Sequence, residues 1–197
     1  MARSDSSLIP LRAHPGTPGE AVLRLAARAE LVRPHSLRFH YLLEAQPERI
    51  RIPAPVPDGG RADQLWARTC FEAFIACDES SQYLELNFSP SGEWAAYGFQ
   101  SYRHGMAPAL EEAPRLALRR GAKRLELEAE VSLRGTPQAP DAGAGAPEEV
   151  RLRISLSAVV EDREGRLSYW ALRHPPGRPD FHHPDTFSLA LQFPRIP

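Results

Sequence analysis

The segment LWARTCFEAFI (residues 65–75), followed after a short polar turn by YLELNFSPSGEWAAYGF (83–99), restricts the fold of this chain more than any other part. Side chains of an extended strand point alternately to opposite sides, so a period of two marks a sheet with two unlike faces. In YLELNF that alternation puts Leu84, Leu86 and Phe88 on one side and Tyr83, Glu85 and Asn87 on the other. The first set fits a core. The second is polar and aromatic, which fits a face that holds something other than its own scaffold.

The same period predicts strands over residues 20–29, 37–45, 49–54, 70–77, 82–89, 93–99, 114–119, 124–133, 150–161, 166–173 and 186–193. Residues 20–29 are ambiguous, since alanine and arginine suit a helix while the alternation of Val22, Arg24, Ala26 and Arg28 suits a strand, and the strand is preferred. In TFSLALQF, Phe187, Leu189, Leu191 and Phe193 are expected to point inward. Many short strands with turn signals between them and no solenoid period predict an all-β, two-sheet antiparallel sandwich. The 197 residues are read as one domain, 1–197, with a mobile insertion near 135–149. That insertion, GTPQAPDAGAGAP, has no large apolar group to give a core. The loop HPPGRPDFHHPD (174–185) differs, with three histidines and Phe181 stiffened by prolines, and is a candidate rim of a site.

A chain of this length buries on the order of 70% of the surface its unfolded form exposes, enough for a core without disulfide or metal staples. Cys70 and Cys77, an odd number of residues apart on one strand, point to opposite faces and are expected as reduced thiols. No apolar run in residues 1–16 resembles a signal-peptide core. No window approaches the roughly 18 apolar residues of a membrane span, so a cytoplasmic protein is expected. A net charge of −1 gives no reason to expect nucleic acid, and Arg119, Arg120, Lys123 and Arg124 read as a solvated turn.

The succession LWARTCFEAFI, YLELNFSPSGEWAAYGFQSYRHGM, LSAVVEDREGRLSYWALRHP and PDFHHPDTFSLAL resembles the bacterial DOMON-like proteins, relatives of the DOMON and family-nine carbohydrate-binding-module superfamily, a branch sometimes labelled UDP-N-acetylmuramate dehydrogenase-like. The resemblance runs from about Leu37 to Phe193 and implies a β sandwich whose relatives bind carbohydrate, or in another branch haem, on one sheet and its loops. It implies no known reaction.

Sugar recognition needs flat rings against the pyranose carbons and planar polar groups for paired hydroxyls. Trp94, Tyr97 and Tyr102 are the candidate rings, Glu72, Glu85, Asn87 and Arg103 the candidate polar partners, with Trp170 and Arg173 joining from a neighbouring strand. Each aromatic also reads as core, and Trp66 is assigned to the core or its lid. Glu72 interrupts an apolar strand, where it either meets an arginine, Arg68 or Arg103, or faces a ligand.

No cofactor is expected. His174, His182 and His183, with Asp180 and Asp185, have the donor types for a divalent metal but match no metal-site spacing. Met106, near His104, is the haem-ligand alternative. No catalytic constellation is evident: Ser89 and Ser91 read as turn residues, and the separation of Glu72 and Glu85 needed for glycoside hydrolysis is not written in a sequence. The expected function is a non-catalytic module binding a carbohydrate or sugar-containing metabolite, with a haem or metal redox domain or a protein-interaction sandwich as alternatives.

Overall fold

A computed structural model describes residues 8–33, 35–78, 80–139 and 149–194. The strands are β1 (Ile9–Pro10), β2 (Arg12–Ala13), β3 (Val22–Arg33), β4 (Ser36–Ala45), β5 (Ile50–Arg51), β6 (Cys70–Cys77), β7 (Tyr83–Phe88), β8 (Trp94–Phe99), β9 (Ala107–Pro108), β10 (Arg115–Arg120), β11 (Arg124–Ser132), β12 (Glu149–Asp162), β13 (Leu167–Ala171) and β14 (Leu189–Pro194). Five form one antiparallel sheet in the order β1-β3-β4-β11-β10. The second sheet runs β2-β13-β12-β6-β7-β8-β9, with β14 and β5 pairing the ends of the long β12. This is the predicted two-sheet sandwich. Residues 20–29 are strand, extended to β3 with a register irregularity between Val22 and Arg24.

The core lies between the sheets. Leu25, Leu37, Phe39, Tyr41, Leu43 and Leu127 from the first meet Phe71, Ile75, Leu84, Leu86, Phe88 and Leu156 from the second. Tyr41 stacks on Phe71 at 5.0 Å, and its hydroxyl donates to the Glu72 carbonyl at 2.6 Å, so its phenol reaches a partner inside the core. Along β11 burial alternates strictly, the mark of a sheet with one face in water. Along β6 and β7 it does not, because nearly every residue is buried.

The outer face of the second sheet is therefore covered as well. A second apolar cluster sits there, containing Phe74, Tyr83, Ala95, Tyr97, Phe99, Val159 and Ala171, capped by Phe181 from the loop between β13 and β14. That loop ends in a short 3-10 turn, Pro184–Thr186, so β14 starts only at Leu189. Phe187 consequently packs on Phe74 on the outer face, while Leu189 and Leu191 pack on the main core; the inward placement expected for Phe187 is corrected by this turn.

Cys70 and Cys77 are free thiols, Cys70 beside Asn87 on the outer face and Cys77 against the main core. Of the insertion near 135–149, residues 140–148 lie outside the described residues. Its first part is packed rather than loose, with Gln138 only 1% exposed and Ala139 against the core.

Candidate functional site

The covered outer face contains a cavity of about 480 Å³. Its floor is Glu72 from β6, Glu85 from β7 and Val159 from β12; its walls include Phe99, Leu167 and Tyr169; its rim is Trp66, Arg103, Met106, Phe181 and His182. The strand register explains why two carboxylates meet here. Glu72 lies opposite Asn87, and Glu85 is two residues from Asn87 on the same strand, which makes the glutamates diagonal neighbours on one face.

The loop over the cavity is tied down by polar contacts. Arg103 Nη2 donates to Asp180 Oδ1 at 2.8 Å, Tyr102 Oη donates to Asp180 Oδ2 at 2.5 Å, and the His182 N–H donates to Asp180 Oδ1 at 3.1 Å. Arg103 takes a left-handed backbone, φ 54°, which turns its N–H onto the Tyr83 hydroxyl at 3.1 Å. Tyr83 Oη is also 2.8 Å from His182 Nδ1. With Tyr83 donating to Nδ1, the imidazole hydrogen sits on Nε2, 3.7 Å from Glu85 Oε2.

The electrostatics are unusual for a surface so rich in ions. Glu72 is 3% exposed and Glu85 5%. Burial, and then the charge of Glu85, push Glu72 well above the usual carboxylate range. Burial also raises Glu85, while the amide of Asn87, donating to Glu85 Oε1 at 2.8 Å, and the charge of Arg103 draw it back. His182 is pushed down to about 4 by burial and by Arg103, and is neutral at physiological pH. Glu72 Oε1 is buried without a hydrogen-bond partner, and so is the hydroxyl of Ser157, its neighbour across the β6–β12 ladder. Such groups are rare in folded proteins because each forfeits its hydration without replacement.

Of the residues singled out in the sequence, Glu72, Glu85 and Arg103 line the cavity. Asn87 is fully buried behind it and orients Glu85. Tyr97 shares their face but is braced rather than available: its hydroxyl donates to Asp63 at 2.6 Å and Trp66 packs edge-on against its ring. Tyr102 stands one layer out, half exposed, holding Asp180.

Three of the expected site residues, Trp94, Trp170 and Arg173, are corrected. Trp94 pairs across from Phe88 and Trp170 across from Ala158, residues of the inner face, so both indoles belong to the main core, and Trp170 Nε1 donates to Ser168 at 3.0 Å. Arg173 is exposed beyond the end of β13 and takes no part in the cavity. Neither proposed arginine neutralises Glu72, since Arg68 binds Glu161 at 2.9 Å and Arg103 binds Asp180. Trp66, expected in the core or its lid, is on the rim and 36% exposed.

The walls that sequence reading missed are Phe99, Leu167 and Tyr169, while Phe181 and His182 come from the loop expected as a rim. Phe99 was within reach, since it shares the parity of Tyr97; Tyr169 required the phase of β13, which LSYWAL does not reveal. The histidines do not converge on a metal. His174 Nε2 meets the Arg12 carbonyl at 2.8 Å, His183 Nδ1 accepts from the Asp185 N–H, and among the described residues no group of three metal-ligating side chains forms. Met106 is 58% exposed on the rim, and the one cavity histidine, His182, has its nitrogens turned to Tyr83 and Glu85, so this donor set does not fit an axially held haem.

No protein-family model and no curated protein sequence matches the chain. Among solved structures, it is similar to a candidate carbohydrate-binding protein from Bacteroides uniformis ATCC 8492, at a TM-score of 0.69 and 16% identity, covering 95% of this chain and 86% of that one. A family 9 carbohydrate-binding module from Caldicellulosiruptor kristjanssonii gives 0.44 and 9% in its glucose complex, covering 78% and 69%, and 0.46 and 10% with cellotriose, covering 87% and 74%. The likeness to the Bacteroides protein establishes a shared β-sandwich fold.

Proposed function

We propose that this chain is a DOMON-like, non-catalytic ligand-binding module whose ligand is a carbohydrate or a sugar-containing metabolite, held in the cavity over Glu72 and Glu85. One observation carries the reading: a buried carboxylate with an oxygen lacking any partner, in an aromatic-walled hollow large enough for a small ligand. Folding does not favour such a group, whose burial costs about 1–3 kcal/mol when unsatisfied. A ligand that supplies donors repays that cost on binding. Rings beside carboxyl groups also match the chemistry of a pyranose, with apolar C–H faces and peripheral hydroxyls. The shared fold with the Bacteroides protein is consistent with this.

The test is a calorimetric titration of the purified protein with a panel of mono- and oligosaccharides. A panel member is expected to bind with Kd of roughly 1 µM to 1 mM, weakened about tenfold or more in Glu85→Gln and in Trp66→Ala. Binding that is indifferent to both substitutions, or no binding across a broad panel, counts against it.

A further inference from the structure

We infer that the group the ligand presents to Glu72 and Glu85 is a protonated amine, so the preferred ligand is an amino sugar or a similar compact amine rather than a neutral sugar. The inference rests on the ligand-binding reading of this cavity and adds the charge of the ligand to it.

The neighbouring ions make the case. Asp180 is matched by Arg103 at 2.8 Å, Glu161 by Arg68 at 2.9 Å and Asp63 by Arg61 at 3.2 Å, so each carboxylate around the cavity has its own cation. Glu72 and Glu85 are the two on the floor, and neither has an arginine or lysine within ion-pair distance among the described residues. Glu85 has the Asn87 amide on Oε1 at 2.8 Å and feels the charge of Arg103, but within ion-pair distance it has only His182, at 3.7 Å, which is neutral at physiological pH. Glu72 Oε1 has no hydrogen-bond partner.

A hydroxyl offers one donor and no charge. An ammonium offers three donors and the charge that lets both carboxylates ionise side by side. The lining suits the same guest, since it holds the aromatic rings of Trp66, Phe99, Tyr169 and Phe181, and a ring face turned to a cation attracts it. Carboxylates below and rings around it form a pocket for an amine on a carbon skeleton.

Burial favours the protonated form of Glu72, and a bound cation favours loss of that proton. Groups that bear on this proton are Glu85 and Asn87 on β7, Cys70 on β6, the Tyr41 hydroxyl on the Glu72 carbonyl, Arg103 from the turn after β8 and His182 from the covering loop. Of these only Arg103 is a cation, and it is engaged by Asp180.

Calorimetry with glucose, glucosamine and cyclohexylamine, each in two buffers of different ionisation enthalpy, tests the inference on the wild-type protein and on Glu72→Gln and Glu85→Gln. Glucosamine is expected to bind about tenfold or more tighter than glucose, with proton release, and to lose that preference in both variants. Equal binding of the two sugars overturns the amine and leaves the carbohydrate reading standing. Cyclohexylamine binding without either sugar sustains the amine and removes the carbohydrate. Binding of none of the three overturns both, and a preference that survives both substitutions overturns the assignment to this pair. Thermal unfolding of each variant confirms that it is folded when titrated.

Discussion

Two strands of this molecule carry nearly the same words, LELEAEV in β11 and LELNF in β7, and put their glutamates to opposite uses. On β11, Glu126, Glu128 and Glu130 face water on the outer side of the five-stranded sheet. Arg38 spans Glu128 at 3.3 Å and Glu130 at 2.9 Å, while Arg124 takes Glu126 at 2.7 Å and Glu44 at 3.4 Å. On β7, Glu85 lies under a covering loop beside Glu72, with an amide and a neutral imidazole for company. The pattern of alternation is common to both; the partner across the ladder is not. A glutamate becomes a site when its sheet face is roofed and no arginine lies across the ladders from it: Glu85 has Phe74 and Tyr97 there, and Glu72 has Asn87 and Ser157.

The roof is the first thing to break. Phe74 is fully buried between His182 at 5.0 Å, Tyr83 at 6.4 Å and Phe187 at 6.4 Å. Phe74→Ala is expected to cost about 3–5 kcal/mol in urea unfolding, as for a ring in a main core. A cost below about 1 kcal/mol would mean the outer cluster is a surface patch.

Acid comes next. His182 has its folded pKa lowered from 6.5 to about 4, so its contribution is complete above 6.5 and lost as pH falls through about 4. The gap corresponds to about 3 kcal/mol. Wild-type stability measured at both ends of that window should fall by about that much more than in His182→Gln; equal acid sensitivity would contradict the buried neutral imidazole.

Glu72→Leu should stabilise the protein by about 1–3 kcal/mol at neutral pH, because it removes an unsatisfied buried group at nearly constant volume. Glu72 has its folded pKa raised, so its cost appears as pH climbs above 4.5, and the gain of the variant should grow in that direction. Destabilisation instead would make Glu72 a structural residue. On the other sheet, Glu128→Ala should change stability by less than about 1 kcal/mol, and less still in high salt.

The strands and the inner and outer sets of β6 and β7 were legible because alternation is enforced wherever one face is apolar. Leu84, Leu86 and Phe88 point inward as read, and Glu72, Glu85 and Asn87 share the outer face. The indoles were misread where alternation gives no phase. The turn at Ser89–Glu93, closed by Gly92 with φ 93° and its N–H on the Ser89 carbonyl at 3.0 Å, sets which way Trp94 enters β8. In LSYWAL, serine, tyrosine and tryptophan suit either side. The covering loop has no period at all. Its place depends on Asp180 meeting Arg103 across 77 positions of sequence, a contact no local pattern encodes.

The central claim is that Glu72 is a buried acid waiting for a donor, and carbon-13 NMR of its side-chain carboxyl reads that directly. A titration midpoint clearly above 4.5 in the free protein, moving down when glucosamine is added, is the predicted result. A midpoint near the ordinary carboxylate value, unmoved by any sugar or amine, would contradict the account.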